Sequence, residues 1–115
     1  MPRVITLDEL RARLEGDDPV TLVEALPPMY YEAEHLPGAI NIPHDEVDAR
    51  APALLPDRDA AIVVYCANLP CQNSGIATRE LIAMGYGDVR EYADGKQDWV
   101  DAGLPVETGT RAAAA

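Results

Sequence analysis

Ala60-Ala61-Ile62-Val63-Val64-Tyr65 is a continuous apolar run, rich in β-branched side chains and free of polar alternation. A strand with one wet face alternates polar and apolar side chains, whereas an unbroken run marks a strand covered on both faces in the middle of a parallel sheet. Parallel neighbours need long crossover connections, and these are normally helices packed right-handedly on the sheet. One six-residue segment therefore asks for an α/β fold with helices above and below it.

The flanking sequence supplies those parts in alternation. Val4-Ile5 reads as a short strand and residues 6–14 as a helix, with Thr6 and Glu9 at capping-box spacing and Leu7, Leu10 and Leu14 at helical period. Gly16 ends this helix, and Asp17-Asp18-Pro19 makes a turn. Residues 20–26 form a second strand, and Pro27-Pro28 opens a helix to about residue 34. A turn at Leu36-Pro37-Gly38 leads into a third strand over residues 39–42, then a short helix and loop over 44–57. After the central run, a polar loop precedes a helix marked by Ala77, Leu81 and Met84 and ended by Gly85. Residues 89–93 make a fifth strand, and residues 96–102 a last short helix closed by Gly103. The expected class is α/β: a small five-stranded parallel sheet with helices on both faces.

A chain of 115 residues holds one such domain. Its expected extent is 1–107, with 108–115 as a disordered tail that lacks any burial pattern. The formal charge of −11 argues against nucleic acid and anionic membrane as partners. No apolar run approaches the roughly 20 residues of a membrane span. Met1-Pro2-Arg3-Val4 lacks the charged-then-apolar layout of a secretion signal, so a cytoplasmic location is expected. Phe is absent, which leaves aliphatic residues to fill most of the core. Two cysteines, Cys66 and Cys71, are too few to staple a secreted fold, so their chemistry is the better question.

Ligands of open parallel sheets bind outside the carboxyl ends of the strands, where helix N-termini point inward. Cys66, the last residue expected in the central strand, lies there. Backbone N–H groups facing its sulfur would lower the thiol's pKa and raise its nucleophilicity. The competing reading is a buried cysteine that only fills space.

Four ordered stretches shift that balance: His35-Leu36-Pro37-Gly38-Ala39-Ile40-Asn41-Ile42-Pro43, Val63-Val64-Tyr65-Cys66, Gly85-Tyr86-Gly87-Asp88-Val89 and Trp99-Val100-Asp101-Ala102-Gly103-Leu104-Pro105-Val106. Together they resemble a single-domain rhodanese of the sulfurtransferase family, from Val4 to Glu107. The resemblance implies a cysteine that cycles between thiol and persulfide, here Cys66, taking sulfur from a small-molecule or protein-borne persulfide donor and giving it to a thiol acceptor. It also implies a loop whose N–H groups bind substrate, which falls on Ala67, Asn68, Leu69 and Gln72. Pro70 has no N–H to give. The His35 stretch is expected to be architectural.

The sequence departs from the family's pattern where charge matters. Glu24 matches an acidic residue after the second strand, but Ala25 and Leu26 supply no cation where an arginine is common. Cys71 stands five positions after Cys66, where the loop commonly ends in arginine. Glu34 replaces a usual glycine, and Asp94-Gly95 stands for two. A loop without formal positive charge should bind the thiosulfate dianion weakly and should not clamp a phosphoryl group.

Cys71 has three readings: a residue of the helix's first turn, a redox partner that forms a disulfide with Cys66, or a second sulfur acceptor. At the level of the whole chain, the rivals to sulfur transfer are a dithiol redox catalyst using both cysteines and a non-catalytic protein-binding module. No metal and no cofactor are expected. The C-x4-C spacing of Cys66 and Cys71 and the H-x8-H spacing of His35 and His44 do not suit structural zinc. Gly85-Tyr86-Gly87-Asp88 follows a helix and precedes a strand, the wrong order for a nucleotide loop.

Overall fold

A computed structural model describes residues 3–16 and 19–109. The elements run β1 (Arg3–Val4), α1 (Leu7–Glu15), β2 (Thr21–Glu24), α2 (Pro28–Ala33), β3 (Ile40–Asn41), α3 (Val47–Leu54), β4 (Ala61–Tyr65), α4 (Asn73–Ala83), β5 (Asp88–Tyr92) and α5 (Gly95–Asp101). The five strands form one sheet in the order β1-β5-β4-β2-β3, and every pairing is parallel. The apolar run therefore lies at the centre, as its lack of alternation required.

Alternation along β4 sends its side chains into two cores. Ile62 and Val64 join Val23 and Ala25 of the second strand segment beneath Val47 and Ala51 of α3 and Ala77 and Leu81 of α4. Val63 and Tyr65 point the other way, packing with Leu10 of α1, Tyr31 of α2 and Trp99 of α5. Tyr92, also on that side, donates its hydroxyl to Asp98 at 2.6 Å. With aliphatic residues and a few tyrosines in place of phenylalanine, both faces are closed.

Local signals account for the element ends. Thr6 and Glu9 make the reciprocal capping box, at 2.9 and 3.2 Å. Leu10 is buried on α1, whereas Leu14 is exposed and adds nothing to the core. Asp17 and Asp18 of the expected turn lie outside the described residues, as do Met1, Pro2 and residues 110–115 of the expected tail. Of that tail, the described Gly109 donates its N–H to the Glu32 carbonyl at 2.8 Å. An antiparallel bridge between His35 and Glu107 ties the chain after α5 back to the end of α2. Among the described residues, no helix is long and apolar enough to cross a membrane.

Candidate functional site

The site forms where β4 leaves the sheet. The ladder ends with the Ala25 N–H donating to the Tyr65 carbonyl at 2.9 Å. Cys66 is thus one residue beyond the strand rather than its last member. Its carbonyl turns away to accept the Lys96 N–H at 2.9 Å, and the Ala67 carbonyl accepts from Gln97 at 2.8 Å. These are first-turn N–H groups of α5, which have no partner within their own helix. The loop after Cys66 is therefore strapped to α5 by groups the helix cannot satisfy itself.

The loop then turns, with the Cys71 N–H donating to the Asn68 carbonyl at 3.1 Å, and α4 begins at Asn73. Among the described residues, the N–H groups of Ala67, Asn68, Leu69 and Gln72 have no protein partner. The donor aimed at the sulfur lies further on: the Ser74 N–H reaches Cys66 Sγ at 3.4 Å. Ser74 was absent from the sequence expectation, which carried the N–H donors only as far as Gln72. Helix α4 starts at Asn73, so the Ser74 N–H is one of its first-turn donors without an intrahelical partner.

Cys66 and Ser74 are fully buried, and both cysteines are free thiols. Cys66 Sγ donates to Ser74 Oγ at 3.3 Å, and Ser74 Oγ donates to Glu91 Oε2 at 2.7 Å. The expected lowering of the thiol's pKa does not occur. Burial pushes the Cys66 thiol up to about 11, a hydrogen bond with the neighbouring Cys71 thiol adds to the rise, and the two contacts from Ser74 offset only part of it. Desolvation of the anion outweighs the helix N-terminus, a balance that depends on depth and has no signature in local sequence.

The site also has a cation that sequence spacing did not reveal. Lys96 is 7% exposed, and its Nζ lies 3.1 Å from the Glu24 carboxylate. The same ammonium donates to the Tyr30 carbonyl at 3.0 Å and the Glu34 carbonyl at 2.5 Å. Glu24 also accepts from the Tyr65 hydroxyl at 2.8 Å, and that hydroxyl accepts the Leu36 N–H at 3.1 Å. Burial raises the Glu24 carboxyl above its ordinary range, while Lys96 and Tyr65 pull it down. Glu34 sits in extended backbone at φ −169°, a conformation open to any residue, so its replacement of glycine is unstrained.

Lys96 lines an open pocket of about 270 Å³ together with Leu26, Tyr30, Ala33, Glu34, Ala67 and Gln97. An ammonium has three protons, and Glu24, Tyr30 and Glu34 take all three. The pocket wall thus holds one ammonium with no proton to spare, beside the Glu34 carboxylate that balances its formal charge. His35 is engaged elsewhere: its Nδ1 is 2.7 Å from the Tyr31 carbonyl, its ring stacks on Tyr31 at 3.8 Å, and its Nε2 faces Glu107 at 3.6 Å. These contacts fit its expected architectural part.

Comparison with known proteins agrees with this fold. The chain is 44% identical over 106 residues to the HTH-type transcriptional regulator Rv0324 of Mycobacterium tuberculosis, a match covering 91% of this chain and 45% of the relative. It is 42% identical over 71 residues to the thiosulfate sulfurtransferase PspE of Escherichia coli, covering 62% and 65% of the two. The chain thus spans less than two thirds of either relative. A crystal structure of thiosulfate sulfurtransferase from Pseudomonas aeruginosa superposes with a TM-score of 0.82 at 25% identity, over 93% of this chain and 20% of the other. Residues 6–102 match the rhodanese-like domain, and on that match the chain belongs to the rhodanese-like domain family.

Proposed function

We propose that this domain is a sulfurtransferase that carries sulfane sulfur as a persulfide on Cys66. The observation that supports the reading best is the setting of that sulfur: it lies past the end of the central strand, meets the Ser74 N–H, and is followed by a loop with four unpartnered N–H groups. In the first half-reaction the Cys66 sulfur attacks the outer sulfur of a donor R–S–SH. A new S–S bond forms, the donor's S–S bond breaks, and RS⁻ leaves to take up a proton. In the second, an acceptor thiolate attacks the outer sulfur of the Cys66 persulfide and returns Cys66 to the thiol. Ala67, Asn68, Leu69 and Gln72 supply N–H donors to the substrate's sulfur, each charge-assisted bond contributing about 1.5–3 kcal/mol.

The donor is neutral or protein-borne rather than free thiosulfate. Thiosulfate carries two negative charges, the loop has no formal cation, and the protons of Lys96 are taken. A helix N-terminus offers about 0.3–2 kcal/mol to an anion, which does not replace a bidentate arginine. Leu69, 66% exposed in the loop, gives a protein donor or acceptor an apolar contact beside the reacting sulfur.

A second reading has its own support, because the Cys71 thiol is close enough to Cys66 to help raise that thiol's pKa. If Cys71 attacks the inner sulfur of the persulfide, sulfide leaves and a Cys66–Cys71 disulfide remains for an external thiol to reduce. Intact mass after incubation with thiosulfate and with a low-molecular-weight persulfide separates the two. For sulfur transfer, the persulfide donor adds one cyanide-labile sulfur to the wild type and to Cys71→Ser, none to Cys66→Ser, and far less is gained from thiosulfate. A loss of two hydrogens that needs both cysteines favours the redox reading. No change with any donor overturns both and leaves a binding module.

A further inference from the structure

A buried thiol that holds its proton tightly needs a group to take it when the sulfur attacks, and the loop contains none. The residues around Cys66 offer one continuous path. Cys66 Sγ donates to Ser74 Oγ at 3.3 Å, and Ser74 Oγ donates to Glu91 Oε2 at 2.7 Å. Cys66 and Ser74 are wholly buried, while Glu91 is only half-buried. The path thus starts at the reacting sulfur and ends at a carboxylate with access to solvent. Glu91 lies on β5, paired in register with Val64 of β4, two residues before Cys66. Gly75 follows Ser74 on α4 and lies beside this carboxylate: a Cβ there would be in ordinary van der Waals contact with Glu91 Oε2 at 3.5 Å and Arg79 Nη1 at 3.4 Å.

We propose that Ser74 and Glu91 form a proton relay that activates Cys66. The inference rests on the reading of Cys66 as a nucleophile, though not on the nature of its sulfur donor. The direction of the hydrogen bonds carries the argument. Because the Ser74 proton points to Glu91, the hydroxyl presents a lone pair to Cys66 and accepts from its S–H. When the sulfur attacks an electrophile, its proton passes to Ser74 Oγ and the Ser74 proton passes to Glu91 Oε2. The S–H electron pair becomes the new bond from Sγ, and the leaving group departs with the electrons of the bond that breaks. Glu91 ends as a neutral carboxylic acid that returns its proton to solvent. Throughout, the Ser74 N–H remains directed at the sulfur. Glu91 acts on Cys66 only through Ser74, and Ser74 is the group that touches the reacting atom.

The test uses iodoacetamide on the full chain in a Cys71→Ser background, where Cys66 is the only thiol and no sulfur donor is needed. Ser74→Ala and Glu91→Gln should each slow alkylation at neutral pH by about 10²-fold, the ordinary scale of general-base assistance. The double variant should be no slower than either single one, because the two residues act as a unit. Ser74→Thr keeps the hydroxyl and should stay near the parent rate. Glu91→Gln keeps a hydrogen-bond acceptor of the same size, so a merely structural Glu91 leaves the rate unmoved. If Ser74→Ala does not fold, the half-buried Glu91→Gln alone decides the matter. An unchanged or faster rate in Glu91→Gln, with a melting temperature near the parent's, overturns the relay. Because no sulfur donor takes part, failure of the sulfur-transfer reading leaves this result standing on its own.

Discussion

Gly95 is the residue on which the shape of the loop turns. Its φ of +73° lies in the left-handed region, and an added Cβ would meet the Cys66 carbonyl oxygen at 2.7 Å, Asn68 N at 2.9 Å and the Ala67 carbonyl carbon at 3.0 Å. All three are backbone atoms, so no side chain can swing aside to relieve the contact. Gly103 is the natural control: its φ is +78°, but nothing lies within 4 Å of its would-be Cβ. Gly103→Ala should therefore lose only the conformational term, about 1–2 kcal/mol. Gly95→Ala adds overpacking to that strain and should lose about 2–4 kcal/mol. It should also displace the loop and slow alkylation of Cys66, which Gly103→Ala leaves unchanged. Urea denaturation and iodoacetamide kinetics on the two variants check both parts, and equal losses would show that the approach of α5 to the loop is looser than these distances. The sequence identified Gly95 as a departure from a two-glycine pattern, yet the reason for the surviving glycine became visible only once the loop backbone lay against it.

At the scale of elements, Lys96 joins three parts of the molecule that the chain keeps far apart. Its backbone N–H holds the loop after Cys66, while its ammonium holds Glu24 at the end of β2 and two carbonyls at residues 30 and 34 around α2. Removing one member of a buried ion pair strands the other's charge, so Lys96→Met should destabilise the fold by about 3–5 kcal/mol. Adding Glu24→Gln removes the stranded carboxylate while leaving an amide oxygen for the Tyr65 hydroxyl, and the double variant should recover much of that loss. Urea melts of the two single variants and the double one measure the coupling, and purely additive losses would mean that the pair does not interact. The elements themselves were legible, because strands and helices declare themselves in local periodicity: the unbroken run became the central β4, and Thr6 with Glu9 became a capping box. The cation that partners Glu24 was not legible, since it comes from 72 residues downstream and no local rule links those positions. The Cys66–Ser74–Glu91 chain was hidden for the same reason. A serine in a helix's first turn and a glutamate inside a strand are local oddities, and only the packing of α4 against β5 brings them to one sulfur.

For the whole molecule, the charge of −11 is spread over a body with a radius of gyration of only 12.7 Å. At ionic strengths of about 0.01 M the Debye length is about 30 Å, so an approaching anion meets the field of the entire domain; at about 0.15 M it falls to about 8 Å and only near charges count. Among those near charges Lys96 is paired with Glu24 and the loop itself is neutral, while Glu91 and Glu34 leave a negative excess. The two scales predict a definite sign. For thiosulfate, kcat/KM should rise several-fold with added sodium chloride between these ionic strengths, as the long-range repulsion of a dianion is screened. For a neutral persulfide donor it should stay flat, because no net charge is steered in either case. Steady-state kinetics with both donors across the salt series provide the check. A fall with salt for thiosulfate would reveal an attractive cationic site at the loop and would reverse the assignment of the donor. A rise for thiosulfate with no change for the neutral donor would place the barrier in the domain's own charge, where the missing loop arginines leave nothing to oppose it.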